Sequence, residues 1–325
     1  MLEYLVNRIL QTLLVVAVMS ALVFVGIYMI GDPIAMMASP DATELEREAI
    51  RQSLGLDKPL LVQYGVFVLQ TLQGDFGRSF LAGQPAMDLI LERLPATLEM
   101  TVLAMLLAVM VGVPLGIFAG LQPKSIISKF LMAASILGFS LPTFWVALMM
   151  IMIFSIHFGI LPSTGRGQTV MVLGVPLSFL TWDGILHLVL PVCTLAMAKA
   201  AMIMRLTRAT TVEILPLDYI KLARAKGLRE RRVLGVHLLK NILIPVITVS
   251  GLELGQLIAF AVITETIFAW PGMGKLLIDS IITLDRPVVV AYLMLVILFL
   301  SMLNLVVDIL YSIIDPRVRL EAKSR

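Results

Sequence analysis

The sequence is poor in cysteine, histidine and charge, and each scarcity excludes a class of protein. Cys193 is the single cysteine in 325 residues, so a disulfide within the chain is excluded and a cysteine metal cage is disfavoured. His157, His187 and His237 lie far apart in the chain, and we expect no histidine metal site. Only 14% of the residues are charged, and no long run of like charge indicates a tail that binds nucleic acid.

Hydrophobic residues dominate instead, at 59% of the chain, and the mean hydropathy is +0.98. A soluble domain has about 45–50% apolar and about 25% charged residues. Six apolar stretches reach the roughly 20 helical residues that a bilayer span needs. They are Ile9–Ile30, Leu98–Leu121, Phe130–Phe158, Ile185–Met204, Ile242–Thr264 and Val288–Ile314. This pattern predicts an all-α membrane protein with six transmembrane helices.

Lysine and arginine are distributed unevenly among the segments that connect these spans. The segments on the side of the two termini carry 16 of the 25 basic residues, those on the other side carry 8, and Lys199 lies within a span. Cytoplasmic loops of membrane proteins carry an excess of lysine and arginine. We therefore expect both termini in the cytoplasm, and residues 31–95 on the outer side.

The connection at residues 205–240 has a basic, amphipathic pattern. Asp218 is the expected N-cap and Gly227 the expected C-terminal stop of a helix of about two to three turns. Its small apolar face consists of Leu217, Ile220 and Ala223. Docking in the groove of a partner protein and attraction to anionic lipid headgroups are both compatible with this pattern. Nucleic acid is disfavoured because no set of aromatic residues accompanies the basic ones.

Six stretches in order resemble the permease subunits of ABC importers for dipeptides, oligopeptides, nickel and glutathione. They are LGLDKPLLVQY at 54–64, QGDFGRSF at 73–80, LPATLEMT at 94–101, DYIKLARAKGL at 218–228, ETIFAWPGMGKLL at 265–277 and NLVVDILYSIIDPRVR at 304–319. The resemblance extends over nearly the whole chain. Lys221 and Leu222 depart from the general loop pattern of ABC importer permeases, which has a glutamate at the position of Lys221. The same departures are typical of the peptide and nickel branch of the family.

The resemblance implies a fold with three parts. An N-terminal transmembrane helix at 1–30 and an extracytoplasmic segment at 31–95 would precede a five-helix core of the type I ABC importer permeases at 96–325. The loop at 205–240 would be a coupling helix that docks on a separate ATPase. The residues implied in this contact are Leu217, Tyr219, Ile220, Lys221, Ala223, Arg224, Ala225 and Gly227.

The resemblance also implies a function and a set of partners. The chain would form half of the pathway of an ATP-driven importer for dipeptides, oligopeptides or a related small solute, working by alternating access in the bacterial inner membrane. A second homologous permease, two ATPase subunits and an extracytoplasmic solute-binding protein would complete the complex. ATP and Mg would bind to the ATPases, so no catalytic residue, metal or cofactor is expected on this chain. The alternative is a stand-alone ion- or proton-coupled transporter.

Charged residues within the spans are the other candidates for function. Glu253 lies near the middle of its span, where a charge faces protein or water rather than lipid. Glu253 and Gln256, one turn further on, are candidates for lining the translocation path, and structural pairing between helices is the alternative. Lys199 and Asp308 lie at similar depth and are expected to pair. Glu99 lies near the outer boundary of its span, where its side chain can extend to the membrane surface, so no function is assigned to it.

The stretch FAWPGMGKLL at 268–277 resembles part of a phosphate-binding loop, but the match fails. That loop requires G-x-x-x-x-G-K-[ST], whereas Ala269 replaces its first glycine and Leu276 replaces its hydroxyl residue. We expect instead that a tight turn forms at the outer mouth of the pathway, near a gate. The residues expected to build this turn are Pro271, Gly272 and Gly274.

Overall fold

The computed structural model describes residues 2–29, 34, 43–53 and 55–314, and these are mostly helical. The helices are α1 (Leu2–Met29), α2 (Glu44–Ser53), α3 (Leu60–Leu72), α4 (Ala86–Leu121), α5 (Ile126–Ser140), α6 (Thr143–Met150), α7 (Trp182–Ile214), α8 (Asp218–Ala225), α9 (Glu230–Phe260), α10 (Val262–Ile267), α11 (Met273–Ile282) and α12 (Arg286–Ile314). The π-helical segment Ile151–His157 continues α6, and a second one, Val233–Leu238, lies within α9.

A short hairpin is an exception to the all-α prediction. Strands β1 (Val170–Val172) and β2 (Val175–Leu177) pair antiparallel. The two residues between them, Leu173 and Gly174, have φ angles of 51° and 83°. Positive φ at both central positions suits the right-handed twist of a hairpin with a two-residue turn.

Five of the six expected spans are single long helices, and the third one is broken. Among the described residues, α1, α4, α7, α9 and α12 are long and apolar enough to cross a membrane, and α5 with α6 is a sixth candidate, bent by 102°. The break falls at Leu141 and Pro142, where both residues are extended. A proline removes a backbone donor and pushes the preceding residue out of the helical region. The span expected over Phe130–Phe158 therefore consists of two helices.

The chain divides into two compact units. The first contains residues 1–95 and 272–305, and the second contains residues 96–271 and 306–325. The core of the second unit combines buried side chains of α4, α7, α8 and α9 with Trp270. This core matters for function because the short helix α8 contributes to it.

Helices α4 and α7 approach each other closely along three glycines. A β carbon at Gly116 would lie 2.6 Å from the carbonyl oxygen of Met204, and one at Gly120 would lie 2.5 Å from Cβ of Thr211. Gly112 meets Ala200 and Ile203 in the same way. Small residues at four-residue spacing are the usual means by which membrane helices pack at short range. The contact holds α7 in place between two polar loops, at 158–181 and 215–229.

In the first unit, a buried carboxylate holds the start of α12. Asp285 accepts a hydrogen bond from the hydroxyl of Ser79 and another, 3.1 Å long, from the backbone N–H of Phe80. Because Asp285 directly precedes α12, its charge also faces the positive end of that helix. Ser79 and Phe80 of the QGDFGRSF stretch thus fix the position of the start of α12.

Candidate functional site

Helix α8 lies in the basic loop, and its start differs from the expectation. Leu217 is the N-cap and makes no side-chain cap, whereas Asp218 is the first helical residue. The Asp218 carboxylate instead accepts a hydrogen bond from Lys221, 3.1 Å away. An acidic group in the first turn still stabilises the positive end of the helix dipole. The N-cap assignment of Asp218 was therefore wrong by one residue.

The end of α8 is as expected. Gly227 has a φ of 74°, which a residue with a side chain rarely adopts. Its N–H donates to the carbonyl of Arg224, and the N–H of Leu228 donates to the carbonyl of Ala223. These two bonds form a Schellman motif, in which glycine ends a helix and reverses the chain.

The apolar face predicted for partner contact is largely used inside the chain. Ile220 and Ala223 are buried in the core of the second unit, among side chains that include Val233 and Leu238. These two members of the expected ATPase contact are therefore inaccessible to a partner. The sequence could not reveal this, because an amphipathic pattern does not say whether the apolar face meets its own chain or another.

A different face of α8 is exposed, and we call it the loop face. Its residues are Leu217, Tyr219, Lys221, Leu222, Arg224, Ala225 and Lys226. Arg224 donates to both carboxylate oxygens of Glu230, at 2.8 and 3.4 Å. The Tyr219 hydroxyl accepts a hydrogen bond from Asn241, and partial burial raises the pKa of Tyr219. The loop face thus joins exposed apolar side chains to positive charge.

The candidate path residue Glu253 is paired within the chain. Its carboxylate on α9 contacts the Lys199 ammonium on α7, and both side chains are mostly buried. The structure thus contains the second alternative considered for Glu253, a structural pair between two helices. Gln256 is exposed. The expected partner of Lys199 was Asp308, whose side chain lies outside the described residues, and the structure gives Lys199 a different partner.

Glu99 is buried within the chain and does not extend outward from its helix. Its side chain is only 1% exposed and accepts a hydrogen bond from Arg166, 2.7 Å away. The backbone N–H groups of Ser178 and Phe179 donate to the other carboxylate oxygen, at 2.5 and 2.9 Å. Glu99 therefore has a structural role that was not expected, because the loop at 158–181 folds back over it.

Arg166 connects this carboxylate to the rest of the loop. Its guanidinium donates to the carbonyl of Pro176 at 2.6 Å and to the hydroxyl of Ser178 at 2.9 Å. The guanidinium carbon also lies 5.7 Å from the centre of a Trp270 ring, within cation–π distance. Sequence reasoning missed this network, since its members, from Glu99 to Trp270, lie up to 171 positions apart in the chain.

The ETIFAWPG stretch is anchored by two buried polar contacts. Trp270 is fully buried and donates from its indole nitrogen to the carbonyl of Ala96, at 2.9 Å. Glu265 is also fully buried and accepts a hydrogen bond from the hydroxyl of Thr97, at 2.6 Å. Both contacts tie this stretch to the start of the second unit at α4.

The turn in this stretch is not built by its glycines. The left-handed residue is Ala269, with a φ of 46°. Gly272 is extended and is the N-cap of α11, and Gly274 lies in the first helical turn. The expected turn at Pro271, Gly272 and Gly274 was therefore wrong in its position. The left-handed conformation places the reversal at Ala269, between the buried Phe268 and Trp270.

An apolar cavity of about 460 Å³ lies between α4, α5 and α7. Leu107, Leu131, Cys193 and Met197 are among its lining residues, and Glu253 and Gln256 are not. Within the described part of the chain, no cluster of histidine, cysteine, aspartate or glutamate could hold a metal ion.

Two family profiles match the chain. The profile described as binding-protein-dependent transport system inner membrane component matches residues 112–320. The profile for the N-terminal part of such membrane components matches residues 1–101.

Curated relatives match over almost their full length. The dipeptide transport system permease protein DppB of Escherichia coli K12 is 37% identical, covering 98% of this chain and 99% of that protein. The glutathione transport system permease protein GsiC of the same strain is also 37% identical, with the same coverage. In the fold, the chain is similar to a chain of the MetNI methionine ABC transporter in an inward-facing conformation. That likeness has a TM-score of 0.53 at 17% identity and covers 70% of this chain and 97% of the other.

Proposed function

This chain belongs to the family of inner membrane components of binding-protein-dependent transport systems, and on that premise we propose that its cargo is a dipeptide, an oligopeptide or a related small peptide such as glutathione. It is a permease subunit of an ABC importer, a multi-pass inner membrane protein that works with ATPase and substrate-binding partners. Neither the family nor the relatives favour a stand-alone ion- or proton-coupled transporter.

The proposed complex has two halves. This chain forms one half of the pathway, and a second homologous permease forms the other. Two ATPase subunits bind ATP and Mg, so this chain is non-catalytic and carries no cofactor. The cytoplasmic side holds both termini and the loop at 205–240, as the excess of basic residues supports. Residues 31–95 then form an extracytoplasmic segment before the permease core at 96–325.

The loop face is the proposed contact with the ATPase. The observation that carries this proposal is the division of α8 into two faces. Ile220 and Ala223 are buried in a core shared with α4, α7 and α9, whereas Tyr219, Lys221 and Leu222 are exposed. A helix fixed to the spans on one face and to the ATPase on the other transmits motion between them. The basic charge of the loop face favours an acidic rim on the partner.

The contact is tested with Leu222→Glu in the complete complex, reconstituted in vesicles with its ATPases and binding protein. We expect loss of uptake of a labelled dipeptide, by about tenfold or more, because a carboxylate replaces an apolar anchor of the interface. ATPase activity should no longer respond to the loaded binding protein. Leu45→Glu, at an exposed leucine on α2, is the matched control and should leave uptake unchanged. Normal uptake by the Leu222→Glu complex would contradict the proposed contact.

The translocation path is proposed to pass along α9. Gln256 is exposed on this span, and the neighbouring Glu253 is neutralised by Lys199. A neutralised pair lowers the electrostatic barrier that a lone carboxylate would present to a peptide terminus. Gln256→Trp should therefore reduce uptake while the ATPase remains coupled, and Phe260→Trp, at another exposed position of α9, is the control. Equal effects of both substitutions would remove Gln256 from the path.

The stretch with Pro271, Gly272 and Gly274 is proposed to lie at the outer end of the pathway, near the gate. Its support is the pair of buried anchors at Glu265 and Trp270, which leave this stretch little freedom. Labelling of Lys275 by an impermeant amine reagent from outside, and not from inside, is the expected result. Labelling from inside alone would reverse the proposed orientation.

A further inference from the structure

Helix α3 is apolar, short and unburied. Its sequence, LLVQYGVFVLQTL, contains no charged residue, and none of its 13 residues is buried in the chain. At 1.5 Å per residue it is about 20 Å long, too short for the roughly 30 Å hydrocarbon core of a bilayer. The leucines that it leaves exposed are Leu60, Leu61, Leu69 and Leu72. A polar extracytoplasmic segment does not account for such a helix.

The neighbour of α3 is the transmembrane part of α1. The ring of Phe24 packs against Tyr64 and Phe67, with ring centres 5.3 and 5.7 Å apart. The Tyr64 hydroxyl lies 2.9 Å from that of Ser20 and 3.4 Å from the carbonyl oxygen of Ala17. All three α1 residues fall within Ile9–Gly26, the apolar window of that span. Ala17 is about 14 Å along the helix from Gly26, so Tyr64 reaches membrane depth.

The side-chain amide of Gln63, on α3, is satisfied by the chain itself. The Gln63 amide donates to the carbonyl of Lys58 at 2.7 Å and to that of Leu56 at 3.3 Å. The preceding helix α2 is the opposite in character, since its ten residues, ELEREAIRQS, include five with charged side chains. The two helices of this connecting segment therefore suit different surroundings. The charged helix α2 suits water, and the uncharged helix α3 suits an apolar environment.

We propose that α3 is embedded in the membrane without crossing it, and that lipid acyl chains cover its exposed leucines. Helix α1 also has exposed apolar side chains, at Val18, Leu22 and Val25, so it too presents an apolar surface that lipid can cover. An apolar patch of this kind in water would be a site of aggregation. The leaflet concerned is the one at the Met29 end of α1. The proposal depends on the membrane location of the chain and not on its cargo.

Two leucines provide a matched test. Leu61 on α3 and Leu45 on α2 are both 84% exposed in the chain, so exposure alone predicts the same environment for both. Leu61→Cys and Leu45→Cys are made separately in the full chain with Cys193→Ser, and each is labelled with an environment-sensitive fluorophore. The complete complex is reconstituted in phosphatidylcholine vesicles with or without bromine on the acyl chains, since bromine quenches fluorophores that touch those chains.

We expect the label at position 61 to lose about half of its emission in brominated lipid and the label at position 45 to lose little. Leu69→Cys, on the same helix, should resemble Leu61→Cys. If brominated lipid does not quench the label at position 61, the proposal is overturned, whether water or a protein partner covers the helix. An impermeant aqueous quencher separates those two cases. Dipeptide uptake by the same vesicles reports on the proposed function separately, so either result can fail without the other.

Discussion

The two polar loops at the ends of α7 use the same kind of ion pair in opposite ways. Arg166 of the loop at 158–181 lies 2.7 Å from Glu99 of α4, with side chains 11% and 1% exposed. Arg224 of the loop at 215–229, on α8, lies 2.8 Å from Glu230 at the start of α9, with side chains 42% and 59% exposed. The distances are nearly equal, so the difference lies in the surroundings of each pair.

Burial decides what such a pair does. An exposed pair contributes about 0–1 kcal/mol to stability, because water screens it and side-chain ordering opposes it. Removing one partner of a buried pair costs about 3–5 kcal/mol, because a charge is left without compensation. The first loop therefore uses its charges to fold onto α4 and Trp270, and the second leaves its charges available at the surface. The two loops thus differ in whether their ion pair is buried within the chain or exposed at its surface.

The largest effect is expected from Arg166→Met. Loss of the guanidinium leaves Glu99 buried and charged, and the free energy of unfolding should fall by about 3–5 kcal/mol. Thermal unfolding of the purified chain in detergent measures this. Arg224→Met is the matched control, and equal shifts of the unfolding temperature in the two variants would refute the distinction between the loops. Glu99→Gln combined with Arg166→Met should recover part of the loss, since no buried charge remains.

The next largest effect is expected from the glycine contact between α4 and α7. Gly120→Leu places a side chain where Cβ alone would lie 2.5 Å from Thr211, and overpacking of this kind costs about 3 kcal/mol. The unfolding temperature of the chain is the measurement. Gly26→Leu on α1 is the control, because no atom lies within 4 Å of a β carbon built there. A tolerated Gly120→Leu would mean that the helices separate easily.

The intramembrane pair should have an intermediate effect. Lys199→Met removes the partner of Glu253, whose side chain is 14% exposed, and we expect a loss of about 2 kcal/mol, less than for a fully buried pair. Exchanging the two residues, as Lys199→Glu with Glu253→Lys, should restore much of the stability that either reversal loses alone. Absence of this rescue would show that the two groups do not depend on each other.

The smallest effect on stability is expected from Arg224→Met itself. The free energy of unfolding should change by at most about 1 kcal/mol, since the pair with Glu230 is exposed. Uptake by the complete complex should nevertheless fall, because Arg224 belongs to the loop face. A variant that folds normally and transports poorly would sharpen the contrast between the loops. A variant normal in both measurements would remove Arg224 from the interface.

The candidate sites were predictable to different extents. The end of α8 at Gly227 followed from its sequence, because a glycine with a left-handed conformation is a local feature. The contact between Glu99 and Arg166 was not predictable, because it depends on a loop folding back over a span. The burial of Ile220 and Ala223 was missed for a related reason. Their spacing predicts an amphipathic helix, but the identity of what covers the apolar face is a tertiary property.

The six spans, the basic loop at 205–240 and the resemblance to peptide importer permeases were accessible from the sequence alone. Hydropathy and charge asymmetry act locally along the chain, since each span must satisfy its own backbone in lipid. Tertiary structure alone decided which charges are buried in pairs, which face of α8 remains exposed and where the third span breaks. It also placed α3 beside the membrane part of α1. Each of these depends on contacts between distant residues, whose burial determines whether a side chain stabilises the fold or remains free to bind.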